Sequence, residues 1–224
     1  MGSQEFYARN GQSWESGRVP ILDECLFRQR ILDGCSQGAR LVNLFACLED
    51  NGNIRIFAIL GKDQEGKLLV CSMRMPPEKA SFQSLTLELP QAHMFEREIA
   101  EQFAVMPVGH PWLKPVRYHP NYRGVPDLWL EMASRPIPGV HPFYRVKGEE
   151  VHEVAVGPVH AGIIEPGHFR FQCHGEEVLN LEIQLGYQHR GIEKMMEEVS
   201  TEGAVLLAES IAGDTVIAHA TAYC

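Results

Sequence analysis

The sequence has no run of apolar residues near the roughly 18 to 20 that a helix needs to span a bilayer. It also has no excess of positive charge: Lys and Arg number 20 against 29 Asp and Glu in 224 residues, a formal net charge of -9. Nothing gathers Lys and Arg into the basic stripe that phosphate neutralisation demands, so nucleic acid is excluded as a partner. The opening MGSQEFYARN lacks the apolar core of a signal peptide, and the expectation is a soluble, cytosolic chain. Cysteine is sparse. Cys25, Cys35, Cys47, Cys71, Cys173 and Cys224 form no CxxC pair, which excludes a zinc ribbon or an Fe–S motif and leaves reduced, mostly buried thiols. His168 with Cys173-His174 suggests a metal site, but neighbours on a strand point to opposite faces and do not readily share an ion.

What the chain does have is strand chemistry, then proline. From residue 39 to about 89, short runs alternate apolar and polar residues: ARLVNLFACLED, NIRIFAILG, KLLVCSMRM and SFQSLTLEL. Turn signals at Asp50-Asn51-Gly52-Asn53 and from Gly61 to Gly66 complete the pattern of an antiparallel sheet. Before it, ILDECLFRQRILDGC (21–35) sets Leu22, Leu26, Ile31 and Leu32 near helical spacing, with Gly34 as the expected stop. After it, QAHMFEREIAEQFAV (91–105) aligns Met94, Phe95, Ile99 and Phe103 in an apolar stripe. The expected fold class is α+β, an N-terminal antiparallel sheet with covering helices.

Prolines then recur at Pro107, Pro111, Pro115, Pro120, Pro126, Pro136, Pro138 and Pro142, interleaved with Trp112, Tyr118, Tyr122, Trp129 and Tyr144. Proline lacks the donor that helices and sheet interiors need, so this stretch reads as a Pro-rich extended arm whose aromatics lie against something. Beyond it come VHEVAVGP, a β-hairpin in HFRFQCHGEEVLNLEIQLG, and the start of a helical region in HRGIEKMMEEVSTEGAVLLAES. The expected division is 1–106, an α+β domain; 107–150, the arm; and 151–224, part of a second domain too small to bury both faces of its sheet.

Three short stretches carry a family resemblance. EREIAEQFAVMPVGHP (96–111) resembles the signature of the 30 kDa subunit of respiratory complex I and of the matching domain in energy-converting hydrogenases. GPVHAGIIEPGHFRF (157–171) and LGYQHRGIEK (185–194) resemble the opening of the 49 kDa subunit of complex I and of the large subunit of membrane-bound nickel–iron hydrogenases. The EPGHF form is closer to the formate hydrogenlyase type. In that group the two modules are fused through a Pro-rich connection, and the resemblance covers roughly residues 40–224.

The resemblance implies roles. Arg190 would lie near the Fe–S cluster of a neighbouring small subunit, where positive charge raises the cluster's potential, and Glu193 corresponds to a carboxylate used for proton transfer. Read from the residues alone, the pair is an exposed Arg and Glu at a helix start, Glu193 favouring the N-terminal dipole. His160 matches the first histidine of a Gly-Pro-Gln-His-Pro motif that lines the quinone cavity, but the second histidine of that pair is here Pro166. Glu96, Arg97 and Glu98 read as structural, pairing with one another or with the proline arm as an interface or docking latch.

The departures limit what carries over. In the hydrogenases the stretch equivalent to LAESIAGDTVIAHATAYC (207–224) reads Arg-x-Cys-Gly-x-Cys before a helix with His-Ser-Thr-Ala-Tyr. His219, Thr221, Ala222 and Tyr223 match, whereas Ser210 stands at the Arg position and Ala212 and Thr215 at the two Cys positions. Gly213 stands where the respiratory subunits hold a tyrosine beside the quinone headgroup. Alanine and threonine supply no thiolate, so this chain is expected to bind no metal and no cofactor. The implied cofactor is a 4Fe–4S cluster in a partner small subunit. Gly213 is expected to relax the turn, and Asp214 or Thr215 to cap the helix after it. The sequence stops where the family's helical bundle would begin, which reads as a truncated or partial form with no turnover of its own.

Two function classes follow. One is a subunit of a complex I-like or hydrogenase-like oxidoreductase, peripheral on the cytoplasmic face of the inner membrane. It would dock the Fe–S small subunit and membrane-embedded subunits and support electron transfer to a quinone- or hydrogenase-type site. The alternative is a non-catalytic assembly or scaffold protein with the same docking surfaces. A free-standing soluble enzyme built on the scattered histidines lacks a convergent cluster.

Overall fold

The computed structural model describes residues 5–129 and 143–224, and the chain divides into two compact units, 1–141 and 142–224. The stretch of the expected arm that holds Pro136, Pro138 and Pro142 lies outside the described residues. Each unit mixes helices with a mainly antiparallel sheet, an α+β arrangement.

In the first unit β3 (Arg40–Leu48), β4 (Ile54–Lys62) and β5 (Lys67–Met75) form an antiparallel meander. β1 (Phe6–Ala8) joins β5 antiparallel, and β2 (Ile21–Leu22) joins it parallel. Period-two alternation turns Ile54, Ile56, Ala58 and Leu60 of β4 into the core. They meet Phe27 and Ile31 of α1 (Glu24–Ser36) and Ile99 and Phe103 of α2 (His93–Phe103). α1 begins at Asp23, whose carboxylate accepts the Leu26 N–H at 2.9 Å. Gly34, expected to stop α1, lies inside it. A Cβ there would fall 2.6 Å from Leu60 Cδ1, so its bare backbone lets the helix lie close on the sheet.

SFQSLTLEL departs from the strand expected of it. Only β6 (Ser81–Gln83) is extended, pairing parallel with β7 (Met106–Val108), and the chain then turns. The cause is Glu96 of α2, fully buried, which accepts hydrogen bonds from Ser84 Oγ, the Leu85 N–H and Thr86 Oγ1, each at 2.6 Å. With the Leu85 amide committed to a carboxylate, no ladder continues past Gln83.

The other charged side chains of α2 hold the proline-rich segment. Buried Glu101 accepts the N–H groups of Val116 at 3.2 Å, Arg117 at 2.7 Å and Tyr118 at 2.6 Å. Arg97 donates to the carbonyls of Lys114 at 2.8 Å and Pro115 at 2.9 Å, and Glu98 pairs with Arg117 at 2.7 Å. Residues 114–118 are therefore strapped to the helix. Tyr122 packs edge-on against Phe103 with ring centres 5.9 Å apart and Trp129 is buried, so these two aromatics find a surface, whereas Tyr144 stays 49% exposed. His110 stacks on His93 at 5.1 Å, takes the Trp112 N–H on Nδ1 at 3.0 Å and donates from Nε2 to the His93 carbonyl at 3.2 Å. Burial, and with it the charge of Arg97, holds both imidazoles below the usual histidine range.

The second unit pairs β8 (Val151–Val156), β9 (His168–His174) and β10 (Glu177–Gln184) in the order β10-β9-β8, followed by α3 (Ile192–Glu198), α4 (Thr201–Glu209) and α5 (Val216–Tyr223). The helical run after residue 189 is broken at Val199, because Ser200 caps a new helix by accepting the Gly203 N–H at 3.3 Å. Its sheet is inverted in polarity. His168, Gln172, Glu182 and Gln184 are buried, whereas Val154, Val156, Leu181 and Ile183 stay 41–46% exposed. Cys173 is buried and its neighbour His174 exposed, as strand alternation requires. The thiols are less buried than expected: Cys71 and Cys173 are enclosed, whereas Cys25 and Cys224 are exposed. Burial pushes the Cys71 thiol up to about 12.

Two outcomes follow for the first unit. Glu96→Ala strands three buried donors and should lower its stability by about 3 kcal/mol or more, read from urea midpoints. The two histidines take up a proton less readily in the fold than in the unfolded chain, where an imidazole protonates near pH 6.5. Stability should therefore be full above about pH 6.5 and fall below it. Hydrogen exchange of β4 amides at pH 7.5 and 5.5 reads this, and His110→Gln should flatten the difference.

Candidate functional site

The motif-bearing segments of the second unit converge on a cleft of about 510 Å³ lined by Glu165, Tyr187, Arg190, Ser210, Ala212 and Gly213. Three different parts of the sequence thus share one hollow: the loop between β8 and β9, the turn before α3, and the turn between α4 and α5.

Arg190 precedes Gly191, which opens α3 at φ 74, a backbone setting that glycine adopts without strain. Its Nη2 donates to the carbonyls of Ser210 and, at 3.3 Å, Ile211. These carbonyls end α4, where a helix presents unsatisfied acceptors and partial negative charge, so the guanidinium closes one wall of the cleft. Tyr187, for which the sequence suggests no role, lines the same hollow, and burial pushes its phenol above the usual range. Its only signal is its place inside LGYQHRG.

Glu193 does not line the cleft; it stands exposed in the first turn of α3. His160 is also elsewhere. Its Nε2 meets the Gly167 carbonyl at 2.8 Å, and its ring lies edge-on to Phe169 at 6.0 Å. Beneath it Gly157 adopts φ +83, and a Cβ there would fall 2.2 Å from the Gly167 oxygen and 2.8 Å from His160 Nε2. The Gly167 N–H returns to the Pro158 carbonyl at 3.2 Å, so the loop is closed at its neck and His160 braces it.

The turn between α4 and α5 is a single 3-10 turn, Gly213–Thr215. Neither Asp214 nor Thr215 caps α5 with its side chain, contrary to expectation. The Thr215 hydroxyl instead contacts His219 Nδ1 at 2.9 Å, one turn on. Among the described residues no group of three or more His, Cys, Asp or Glu is placed to hold a metal ion.

Residues 32–128, from within α1 through the strapped proline segment, match the family described as respiratory-chain NADH dehydrogenase, 30 Kd subunit. That stretch is a complex I 30 kDa-family domain. The Glu96-Arg97-Glu98 group and Glu101 both lie inside it, and there they hold helix, turn and proline segment together. Hydrogenase-4 component G of Escherichia coli (strain K12) is 28% identical over 185 residues, 77% of this chain and 33% of that protein. Formate hydrogenlyase subunit 5 of the same organism is 27% identical, covering 77% of this chain and 32% of its own length. The C/D subunit of NADH-quinone oxidoreductase of Proteus mirabilis (strain HI4320) is 26% identical over 60% of the chain and 26% of its own length. The chain spans about a third or less of these relatives. A 77% share exceeds the first unit, so the likeness to the two hydrogenase components runs past the 30 kDa-family domain into the second unit.

Gly157→Ala should collide with the Gly167 carbonyl and force a left-handed alanine. The expected cost to the second unit is about 2–4 kcal/mol, read as faster hydrogen exchange in β9 with β4 unchanged.

Proposed function

We propose that this chain is a docking subunit of a complex I-like or energy-converting hydrogenase-like oxidoreductase, supporting electron transfer without turnover of its own. The observation that carries the reading is the single cleft shared by Arg190 and the Ala212–Gly213 turn, in a chain whose first unit holds a 30 kDa-family domain. A small subunit with a 4Fe–4S cluster seats at this cleft, where the Arg190 guanidinium sits beside the cluster and raises its potential. Glu193, exposed on α3, serves as the proton relay at that surface. His160 bounds a quinone cavity as a positioning residue, because its Nε2 is engaged by the Gly167 carbonyl. Membrane-embedded subunits complete the assembly; no described helix is long and apolar enough to cross a membrane.

A nickel–iron centre does not fit. The positions that resemblance gives its first two cysteines hold Ala212 and Thr215, whose side chains offer a methyl and a hydroxyl in place of two thiolates. The position of the quinone-side tyrosine is Gly213, which leaves the hollow open where a headgroup donor would stand.

Co-expression with a 4Fe–4S small subunit of the complex I and hydrogenase class tests this reading. A stable complex is expected, with nickel far below one equivalent by elemental analysis. Arg190→Gln should lower the cluster's midpoint potential while leaving the complex intact. No complex, or stoichiometric nickel, would overturn the proposal. A complex whose potential ignores Arg190→Gln would favour the scaffold alternative.

A further inference from the structure

The turn that leads into the proline segment is closed by one imidazole. His110 follows Gly109, which stands exposed at φ +81 with open space where a side chain would be, whereas the side chain of His110 is wholly enclosed. Both of its ring nitrogens are engaged. A backbone amide only donates and a carbonyl only accepts, so the Trp112 N–H at 3.0 Å makes Nδ1 the lone-pair nitrogen, and the His93 carbonyl at 3.2 Å makes Nε2 the N–H. The partners thus dictate one neutral tautomer.

A second proton on this ring has one place to go, and that place is taken. On Nδ1 it would set two N–H donors against each other, so the ring cannot gain charge and keep the Trp112 amide. His93, stacked on it at 5.1 Å, gives no relief, since its own Nε2 is enclosed without a hydrogen-bond partner among the described residues. The charged and titratable groups facing the turn are His93, Glu96 and Arg97 of α2, and Lys114 of the proline segment, whose Nζ lies over the Trp112 ring at 4.2 Å. β7 carries none, and the 84–86 turn presents the hydroxyls of Ser84 and Thr86. Glu96 favours an imidazolium, but it stands 4.0 Å from Nε2 and already accepts three hydrogen bonds at 2.6 Å. Burial of the ring, and with it the charge of Arg97, opposes the imidazolium and prevails.

On either side of the turn the chain is held independently. β7 pairs with β6, and residues 114–118 are strapped to α2 by Arg97 and Glu101. The stretch between them can therefore let go while its ends stay in place. We propose that His110 is a proton-operated fastener: protonation of its ring expels the Trp112 amide and releases residues 109–112 from α2, while Glu101 keeps the chain beyond them clamped. The charged ring swings about Gly109 into water, where it is hydrated, and adds slack between the sheet edge and the clamp. The open form holds one proton more than the closed form. The closed turn is accordingly complete above about pH 6.5, where an unfolded chain's imidazole titrates, and is lost as the pH falls below that range.

Nuclear magnetic resonance on the full chain from about pH 7.5 to 4.5 tests this. The His110 ring gives its own titration, and amide exchange, corrected for its intrinsic pH dependence, is followed at Trp112, Val116 and Tyr118. Protection of the Trp112 amide should fall about tenfold for each pH unit below the ring's midpoint, the slope of one coupled proton, while Val116 and Tyr118 lose less. His110→Asn, whose side-chain carbonyl can accept the same amide and takes up no proton, should make Trp112 protection independent of pH. His110→Phe has no acceptor and should leave that protection low throughout. Loss of protection at all three amides together, or a His110 titration that leaves the Trp112 amide unchanged, would overturn the proposal, as would a pH-dependent Trp112 amide in His110→Asn.

Discussion

A helix that buries two carboxylates must find donors for both, and the first unit is organised around that requirement. Glu96 and Glu101 are almost fully enclosed. Hydroxyls and backbone amides gather on them, so the charge is satisfied by several short hydrogen bonds converging on each carboxylate. Two otherwise irregular segments, 84–86 and 116–118, take their course from these contacts. Loops need external donors and acceptors to be ordered, and α2 supplies them from one face while its apolar residues hold the sheet with the other.

The second unit solves a different problem. Its sheet turns polar residues inward, so its order rests less on apolar burial than on local closures: Gly157 against Gly167, Ser200 at the head of α4, and Arg190 at its end. Each closure sits at a border between elements, and together they bring three motif segments to one hollow. The segments that line this hollow are thus turns and caps, whereas in the first unit the charged side chains of α2 form a latch on a helix.

Much of this is legible in the sequence. The meander from residue 40 to 75, the hairpin of β9 and β10, and the helical stripe of Met94 to Phe103 all announce themselves by periodicity. What is not legible depends on partners far away in sequence. SFQSLTLEL alternates like a strand, and only the arrival of Glu96 from α2 explains why it turns. Gly34 looks like a stop until Leu60 is seen pressed against it. The segment LGYQHRGIEK points to Arg190, which does line the cleft, but gives no hint of Tyr187 beside it, since a lone tyrosine in a turn carries no pattern. Motifs group Glu193 and His160 with Arg190, yet a motif orders residues along the chain and says nothing about which of them face the same space. Asp214 and Thr215 have the composition of a cap, but Thr215 commits its hydroxyl to His219.

The clamp of Glu101 on three successive amides has a mechanical side. Val116, Arg117 and Tyr118 are held in parallel by one side chain, so tension applied to the chain beyond them loads several hydrogen bonds at once instead of peeling them singly. The load passes to α2, and from there to a packed core, before it can reach the edge of the sheet. A tether anchored in this way transmits a pull on its far end as displacement of a helix, which makes α2 the part of the domain that would register strain arriving along the proline segment.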